Sequence, residues 1–148
     1  MKRRFEVVTA YKKCAINIPV RQTRFSAGYD LEAARNYIID PGEIVLVSTG
    51  LKAYFPKNEV LLIINRSSMS LKRNLMLPNG VGVIDKDYVD NSVNEGEIFV
   101  QLYNFSSSVQ NITKGERIAQ AIFSKFNLTS PDNVKNEKRK SGFGSSGK

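Results

Sequence analysis

Short apolar runs separated by turn residues constrain the fold of this chain most strongly. Runs rich in β-branched or aromatic residues lie at 44–47, 51–55, 60–64, 98–103 and 117–123. Alternation within 98–103 places Ile98, Val100 and Leu102 on one face of a strand. Turn signals such as Asp40-Pro41-Gly42 separate the runs about every ten residues. The pattern predicts an all-β sandwich, barrel or jelly roll with one short helix at 67–75.

The composition excludes several kinds of chemistry. The 148 residues suffice for one domain with a buried core. Histidine is absent, which excludes Ser–His and Cys–His nucleophile pairs, His-ligated zinc and a histidine base. The net charge of +8 favours a polyanionic partner, which could be nucleic acid, an anionic surface or a nucleotide triphosphate. Few lysines or arginines lie on the predicted strands, so we expect no stable nucleic-acid binding.

The two ends of the chain differ from its middle. Met1-Lys2-Arg3-Arg4 is followed by a stretch too short and polar for the apolar segment of a signal peptide. No run approaches the roughly 20 apolar residues of a membrane helix. We therefore expect a cytoplasmic protein with no membrane partner. Ser, Gly, Asn and charged residues dominate from 129 onward, which predicts a folded domain at 1–128 and a flexible tail at 129–148.

Two segments carry groups suited to a metal or a phosphate. In Ser26-Ala27-Gly28-Tyr29-Asp30-Leu31, the carboxylate of Asp30 is either functional or an ordinary turn residue. Asn65-Arg66-Ser67-Ser68 offers a guanidinium, two hydroxyls and their N–H groups after an apolar run, which suits an oxyanion. A plain helix cap at Ser67 or Ser68 is the alternative.

A third segment, 79–88, combines glycines, a short apolar strand and two carboxylates. It reads Asn79-Gly80-Val81-Gly82-Val83-Ile84-Asp85-Lys86-Asp87-Tyr88. Glycine lets a ligand approach the backbone closely, and an exposed hairpin edge can offer N–H and C=O groups to a base. Asp85 could polarise a water molecule, and Tyr88 could pack on a sugar.

Two further segments complete the set. Gly115-Glu116-Arg117-Ile118-Ala119-Gln120 is a turn that leads into a strand with polar residues. The Gly/Ser-rich segment 139–147 resembles a phosphate-binding loop in composition, although it lacks the Gly-Lys-Ser/Thr arrangement of a Walker A loop. Its single aromatic residue, Phe143, lies between two glycines, where a ring could close over another flat ring.

In this order and spacing, the five segments resemble the five motifs of the trimeric dUTPase family, from about Ser26 to Gly147. The resemblance implies a β jelly roll that splits dUTP into dUMP and pyrophosphate with Mg²⁺. It also implies a homotrimer with shared active sites. Each site would take the first, second and fourth motifs from one subunit, the third from a neighbour and the tail from the remaining one.

The resemblance assigns a role to individual residues. Asp85 is expected to orient and deprotonate the attacking water, and Asp30 to reach the Mg²⁺ ion through water. Tyr88 is expected to pack on the deoxyribose and leave no room for a 2′-hydroxyl. The other expected substrate contacts are Arg66, Ser67, Ser68 and Gln120 for the phosphates, Asn79, Gly82, Val83 and Ile84 for the uracil edge, and Arg139, Phe143, Gly144, Ser145 and Ser146 for the base and phosphates from the tail.

The sequence departs from the family pattern after Tyr88, where the insertion 89–95 precedes Gly96-Glu97. We expect a longer loop there, and a regulatory protein partner could bind it. A dCTP deaminase shares the fold and an Arg-Ser-Ser segment, and is the alternative enzyme. The segments 85–88 and 139–147 favour the dUTPase. In the tail, either Lys138 or Arg139 takes the role of the family's arginine.

Overall fold

The computed structural model describes residues 2–134. This part of the chain contains strands, one α-helix and two 3₁₀ turns, Thr9–Tyr11 and Lys86–Tyr88. The elements are β1 Arg4–Val7, β2 Tyr29–Glu32, β3 Tyr37–Ile39, β4 Ile44–Ser48, β5 Leu51–Tyr54, β6 Glu59–Asn65, α1 Ser67–Arg73, β7 Leu75–Met76, β8 Val81–Ile84, β9 Phe99–Asn104, β10 Gln110–Ile112 and β11 Arg117–Lys125.

The strands form antiparallel sheets around one core. The largest sheet has the order β2-β11-β6-β8, and a second has the order β4-β9-β7. Two further pairs join β1 to β5 and β3 to β10. Within residues 2–134 every pairing is antiparallel, which confirms the predicted all-β class.

Alternation of apolar residues builds the core as the sequence predicts. In β9, Val100, Leu102 and Asn104 are buried while the residues between them are half-buried. In β6, Leu61 and Ile63 point into the same core. Because successive side chains of a strand point to opposite faces, each strand contributes every second residue to the interior.

Two elements differ from the prediction. The helix expected at 67–75 ends at Arg73 because Asn74 adopts the left-handed conformation, with φ +50°, and its N–H bonds to the Met69 carbonyl. Strand β1 was not predicted, since two of its four residues, Arg4 and Glu6, are charged. Its Phe5 packs against Tyr29 and Phe123 with ring centroids 5.6 and 5.5 Å apart, so one aromatic residue joins the N-terminal segment to the core.

The chain leaves the sheet after β11. Residues 126–134 are exposed and contain no helix or strand. The domain boundary at 128 and the tail 129–148 stay a prediction. Among the described residues, no helix is long and apolar enough to span a membrane.

Candidate active site

Three neighbouring strands bring the first, second and fourth motifs together at one end of the large sheet. Asp30 in β2 pairs with Gln120 in β11, which pairs in turn with Ile64 in β6. Arg66 follows the end of β6 and therefore lies beside this row. Directly opposite residues stand about 5 Å apart, so side chains distant in sequence become neighbours. The Gln120 amide also donates to the Asn65 carbonyl at 3.4 Å.

Asp30 lies between two arginines. Its Oδ1 is 3.2 Å from Arg66 Nε, and its Oδ2 accepts a hydrogen bond from Arg117 Nη1 at 3.2 Å. Arg66 Nη1 also donates to the Arg117 carbonyl at 3.0 Å. The Asp30 side chain is 13 % exposed and belongs to a strand, so the alternative of an ordinary turn aspartate is wrong.

The start of α1 presents the two serines without using them as caps. Arg66 is the N-cap residue, its backbone is extended, and no side-chain capping hydrogen bond is made there. Ser67 and Ser68 are the first two helical residues, and the helix-cap alternative for them is therefore wrong. Both serines line the cleft described next.

A polar cleft of about 240 Å³ collects these groups. A side chain at position 28 would clash with Gln120, since an added Cβ would overlap Oε1 of Gln120 and lie 3.2 Å from its Cβ and Cδ. Glycine therefore lets the Gln120 side chain cross the floor of the cleft. The lining residues are Gln22, Ser26, Gly28, Asp30, Arg66, Ser67, Ser68 and Gln120.

Two residues at this cleft were missed in the sequence. Gln22 lies in a loop that carries no local signal. Arg117 is part of the fourth motif, so its position could have identified it. A groove of about 370 Å³ continues from Arg66 and Arg117 past Lys72 and Arg73, and it stays basic although its lining residue Glu116 pairs with Arg73. Such a surface suits the negative charge of phosphate groups.

The third motif forms the edge of the same sheet among the described strands. Strand β8 pairs with β6, whereas β7, on the other side of the turn, pairs with β9. The segment is therefore a connection between two sheets, and the hairpin interpretation is wrong. Gly80 has φ +72°, a conformation that glycine adopts easily. Asn79 is exposed, and the backbone of Gly82, Val83 and Ile84 lies at the sheet edge.

The catalytic candidate Asp85 lies far from the cleft of its own chain. Ile84 pairs with Leu61, so the exposed Asp85 lies beyond Leu61 toward the start of β6, while Arg66 follows the other end. Five residues of strand from Leu61 to Arg66 span about 17 Å. A group that activates water must reach the substrate directly. Within one chain, Asp85 and the Arg66 cleft therefore cannot act on the same phosphate.

Tyr88 is 3 % exposed in the single chain. Its hydroxyl donates to the Glu97 carbonyl at 2.7 Å and accepts from the Asn94 amide at 2.7 Å. The hydroxyl is thus engaged by the following loop, and a sugar could meet only the ring, once its face is uncovered. The expected contact with deoxyribose stays a prediction.

The insertion 89–95 is bonded to the body of its own chain. Lys52 Nζ lies 2.6 Å from Asp90 Oδ1 and 2.7 Å from Glu95 Oε1, and Glu95 also accepts the Thr9 N–H at 2.8 Å. The hydrogen bond from Lys52, then that from Thr9, lowers the pKa of Glu95 to about 2. Burial lowers the pKa of Lys52, but its bonds to Asp90 and Glu95 outweigh burial and raise it. These charges are engaged internally, and the partner for this loop stays a prediction.

The donor set fits a magnesium ion that is held mainly by its substrate. Within residues 2–134 no three acidic, histidine or cysteine side chains lie together as a metal cluster, and Asp30 is the carboxylate that lines the cleft. Mg²⁺ keeps several waters and binds substrate phosphates with one or two carboxylates. A carboxylate has about four acceptor positions, so Asp30 can contact a metal-bound water besides its two arginines.

Five of the expected substrate contacts, Arg139, Phe143, Gly144, Ser145 and Ser146, lie outside the described residues.

Comparison with known proteins gives a consistent result. A family model described as dUTPase matches residues 15–147. The deoxyuridine 5′-triphosphate nucleotidohydrolase of Lactococcus lactis is 52% identical over 98% of this chain and 97% of its own length. The enzyme of the same name from Fowlpox virus is 37% identical over 96% of this chain and 98% of its own.

Solved structures agree with the sequence relatives. The crystal structure of dUTPase from Streptococcus mutans matches with a TM-score of 0.82 and 44% identity, over 85% of this chain and 98% of that one. The dUTPase of phage phi11 of S. aureus, at 18% identity and a TM-score of 0.74, shares the fold. The jelly-roll fold expected from the motifs is thereby confirmed, and this chain belongs to the dUTPase family.

Proposed function

We propose that this enzyme hydrolyses dUTP to dUMP and pyrophosphate with Mg²⁺ and thereby limits the incorporation of uracil into DNA. The observation that carries the proposal is the cleft in which Asp30, Arg66, Ser67, Ser68 and Gln120 converge. It joins three motifs that are separate in sequence, and its guanidinium and hydroxyl groups suit the oxygens of a triphosphate.

The phosphates bind at this cleft. Arg66 provides N–H donors in a planar fork, a geometry that matches phosphate oxygens. Ser67 and Ser68 add hydroxyls at the start of α1, and Gln120 adds an amide held over Gly28. Asp30 would help to hold a Mg²⁺ ion through water, and the ion would supply neutralisation of the phosphate charge.

The active site is shared between subunits of a homotrimer. The separation of about 17 Å along β6 between Leu61 and Arg66 supports a site in which Asp85 reaches the cleft of another copy. The apolar side chains of Val81 and Val83, 44 % and 58 % exposed on β8, are surfaces that such a copy could cover. The third subunit contributes its tail, where Phe143 stacks on uracil and Arg139, Gly144, Ser145 and Ser146 contact the base and phosphates.

Asp85 activates the attacking water. The carboxylate takes a proton as the water oxygen bonds to the α-phosphorus, and the bond from that phosphorus to the α–β bridging oxygen breaks, so pyrophosphate leaves. An aspartate with an ordinary pKa near 4 is a weak base. Positioning and the neutralisation of phosphate charge must therefore supply most of the acceleration.

Uracil is selected by the backbone at the sheet edge. The N–H and C=O groups of residues 82–84 and the Asn79 amide pair with the edge of the base. Cytosine reverses the donor and acceptor pattern and would leave buried polar groups unpaired. The methyl group of thymine would collide with a close backbone, and Tyr88 would exclude a 2′-hydroxyl. A cytoplasmic location stays a prediction.

The test is pyrophosphate release with Mg²⁺ from dUTP, dCTP, dTTP and UTP in parallel, with ammonia measured as well. We expect release from dUTP alone. Ammonia from dCTP would instead identify a deaminase. In Asp85→Asn, dUTP binding should persist while turnover falls by about 10²–10⁴-fold, the usual contribution of a general base. Turnover near that of the wild type would contradict the assignment of Asp85.

A further inference from the structure

We propose that Asp30 and Arg117 form a positioning pair that aims the Arg66 guanidinium at the substrate phosphates. The proposal rests on the proposed function for the identity of the ligand. It assigns a role to Arg117. It also means that Asp30 acts directly on the Arg66 side chain of the same chain.

The contacts define the orientation of Arg66 from two sides. Asp30 Oδ1 lies 3.2 Å from Nε, and the Arg117 carbonyl accepts from Nη1 at 3.0 Å. Arginine has five N–H donors in a rigid plane. Among the contacts within residues 2–134, both N–H groups of Arg66 Nη2 remain available to a ligand. Contacts at Nε and Nη1 hold the plane from two sides, which directs the free Nη2 group toward the ligand and removes rotamer freedom that binding would otherwise have to remove.

A β-bulge places Arg117 where it can act. Arg117 pairs with Glu32, and Ala119 pairs with Leu31, so one extra residue of β11 lies between the two pairs. Without the bulge, Ile118 would oppose Glu32 and would share the face of Asp30 and Gln120. With it, Ile118 is fully buried and Arg117 joins the cleft face. Bulges beside active sites commonly redirect a side chain in this way.

Charge alone does not explain the arrangement. Two guanidiniums share one carboxylate, so Asp30 removes part of the positive charge that would attract phosphate. A cleft selected only for positive potential would be better without it. The carboxylate is consistent with a geometric role, in which it holds the guanidinium groups of Arg66 and Arg117 close together and in a fixed orientation.

The three possible roles of Asp30 predict different effects of Asp30→Asn on nucleotide affinity when magnesium is removed. The measurement is the dissociation constant of a dUTP analogue with nitrogen between the α and β phosphorus atoms, in EDTA. For Asp30→Asn, loss of positioning should weaken Mg-free binding about tenfold, the worth of one charge-assisted hydrogen bond. A role through the metal alone leaves Mg-free binding unchanged, and a purely electrostatic role tightens it. Either of these results overturns the proposal.

Arg117→Lys separates charge from geometry. It keeps the positive charge but loses the planar fork, so we expect Mg-free binding to weaken by about the same factor. Arg4→Gln is the matched control, because it breaks an exposed arginine–carboxylate pair with Glu6 on β1. The control should bind the analogue as the wild type does. Wild-type affinity in Arg117→Lys would refute the role of that residue.

A second readout needs no nucleotide. The Nε–H bond of Arg66, whose signal is identified by its loss in Arg66→Lys, should be rigid in the free wild-type protein, with an order parameter of about 0.85. Asp30→Asn should lower that order parameter below about 0.6, the value of a flexible bond. An unchanged order parameter overturns the positioning pair. If the wild type failed to bind the analogue, the proposed function would be wrong, while the order parameters would still decide the role of Asp30.

Discussion

Two inactive variants should restore activity when their subunits are mixed. Asp85→Asn removes the proposed base, and Arg66→Gln removes the proposed phosphate ligand. Strand pairing puts these two residues at opposite ends of β6, whose span from Leu61 to Arg66 is about 17 Å, so we expect one site to take them from different chains. Equal amounts of both variants, unfolded together and refolded, should form mixed assemblies at random.

The expected fraction of wild-type activity follows from the random mixing of the two kinds of subunit. Half of the chains offer an intact Asp85, and half offer an intact Arg66. If the two residues of one site come from different chains, about one quarter of the sites contain both. The assay is pyrophosphate release at dUTP concentrations below KM, compared with the wild type refolded in the same way. The Asp85→Asn parent alone should retain about 1% of the activity or less.

The controls decide whether the recovered activity comes from active sites that are shared between chains. Each variant refolded alone, and the two mixed without unfolding, should keep the low activity of the parents. If the refolded mixture stayed at the mean of its parents while the refolded wild type recovered, Asp85 and Arg66 would act within one chain. The reasoning from the β6–β8 register would then be wrong.

Other perturbations test the loop, the cleft floor and the tail. Lys52→Met should lower the free energy of unfolding at pH 7 by about 2 kcal/mol, because a side chain only 9 % exposed loses its ion pairs, whereas Arg4→Met should cost little. The bond to Lys52 lowers the pKa of Glu95 from 4.5 to about 2, so the ion pair loses its stabilising effect as the pH falls from 4.5 toward 2. In urea titrations, the loss in free energy of unfolding caused by Lys52→Met should therefore shrink over this range. A loss at pH 3 as large as that at pH 7 would contradict this reasoning. Gly28→Ala should displace Gln120 and lower kcat/KM about tenfold, and adding Gln120→Ala should cost no more, since both changes remove one contact. A chain ending at Asn136 should keep the far-ultraviolet circular dichroism of the full chain but lose most of its turnover, while unfolding of this variant would make the tail structural.

Local patterns predicted much of the fold. The alternation in 98–103 and the apolar run 60–64 identified β9 and β6, because side-chain period and β-branching depend on near neighbours in the chain. The motif residues Arg66, Ser67, Ser68 and Gln120 were also identified, and the structure places them in one cleft. Strand β1 was missed because two of its four residues are charged, and its pairing with β5 and the packing of Phe5 outweigh that local signal.

The sequence by itself determined which residue types are available and which strands form. Only the tertiary structure decided that Arg117, and not Ile118, faces Asp30, since that depends on a bulge in the pairing of β11 with β2. It also decided that Lys52 holds the insertion through Asp90 and Glu95. Strand register and ion pairs join residues dozens of positions apart, and no local periodicity encodes such pairings. The distance between Asp85 and its own cleft has the same origin, and it is the reason for the proposal that the site is shared between chains.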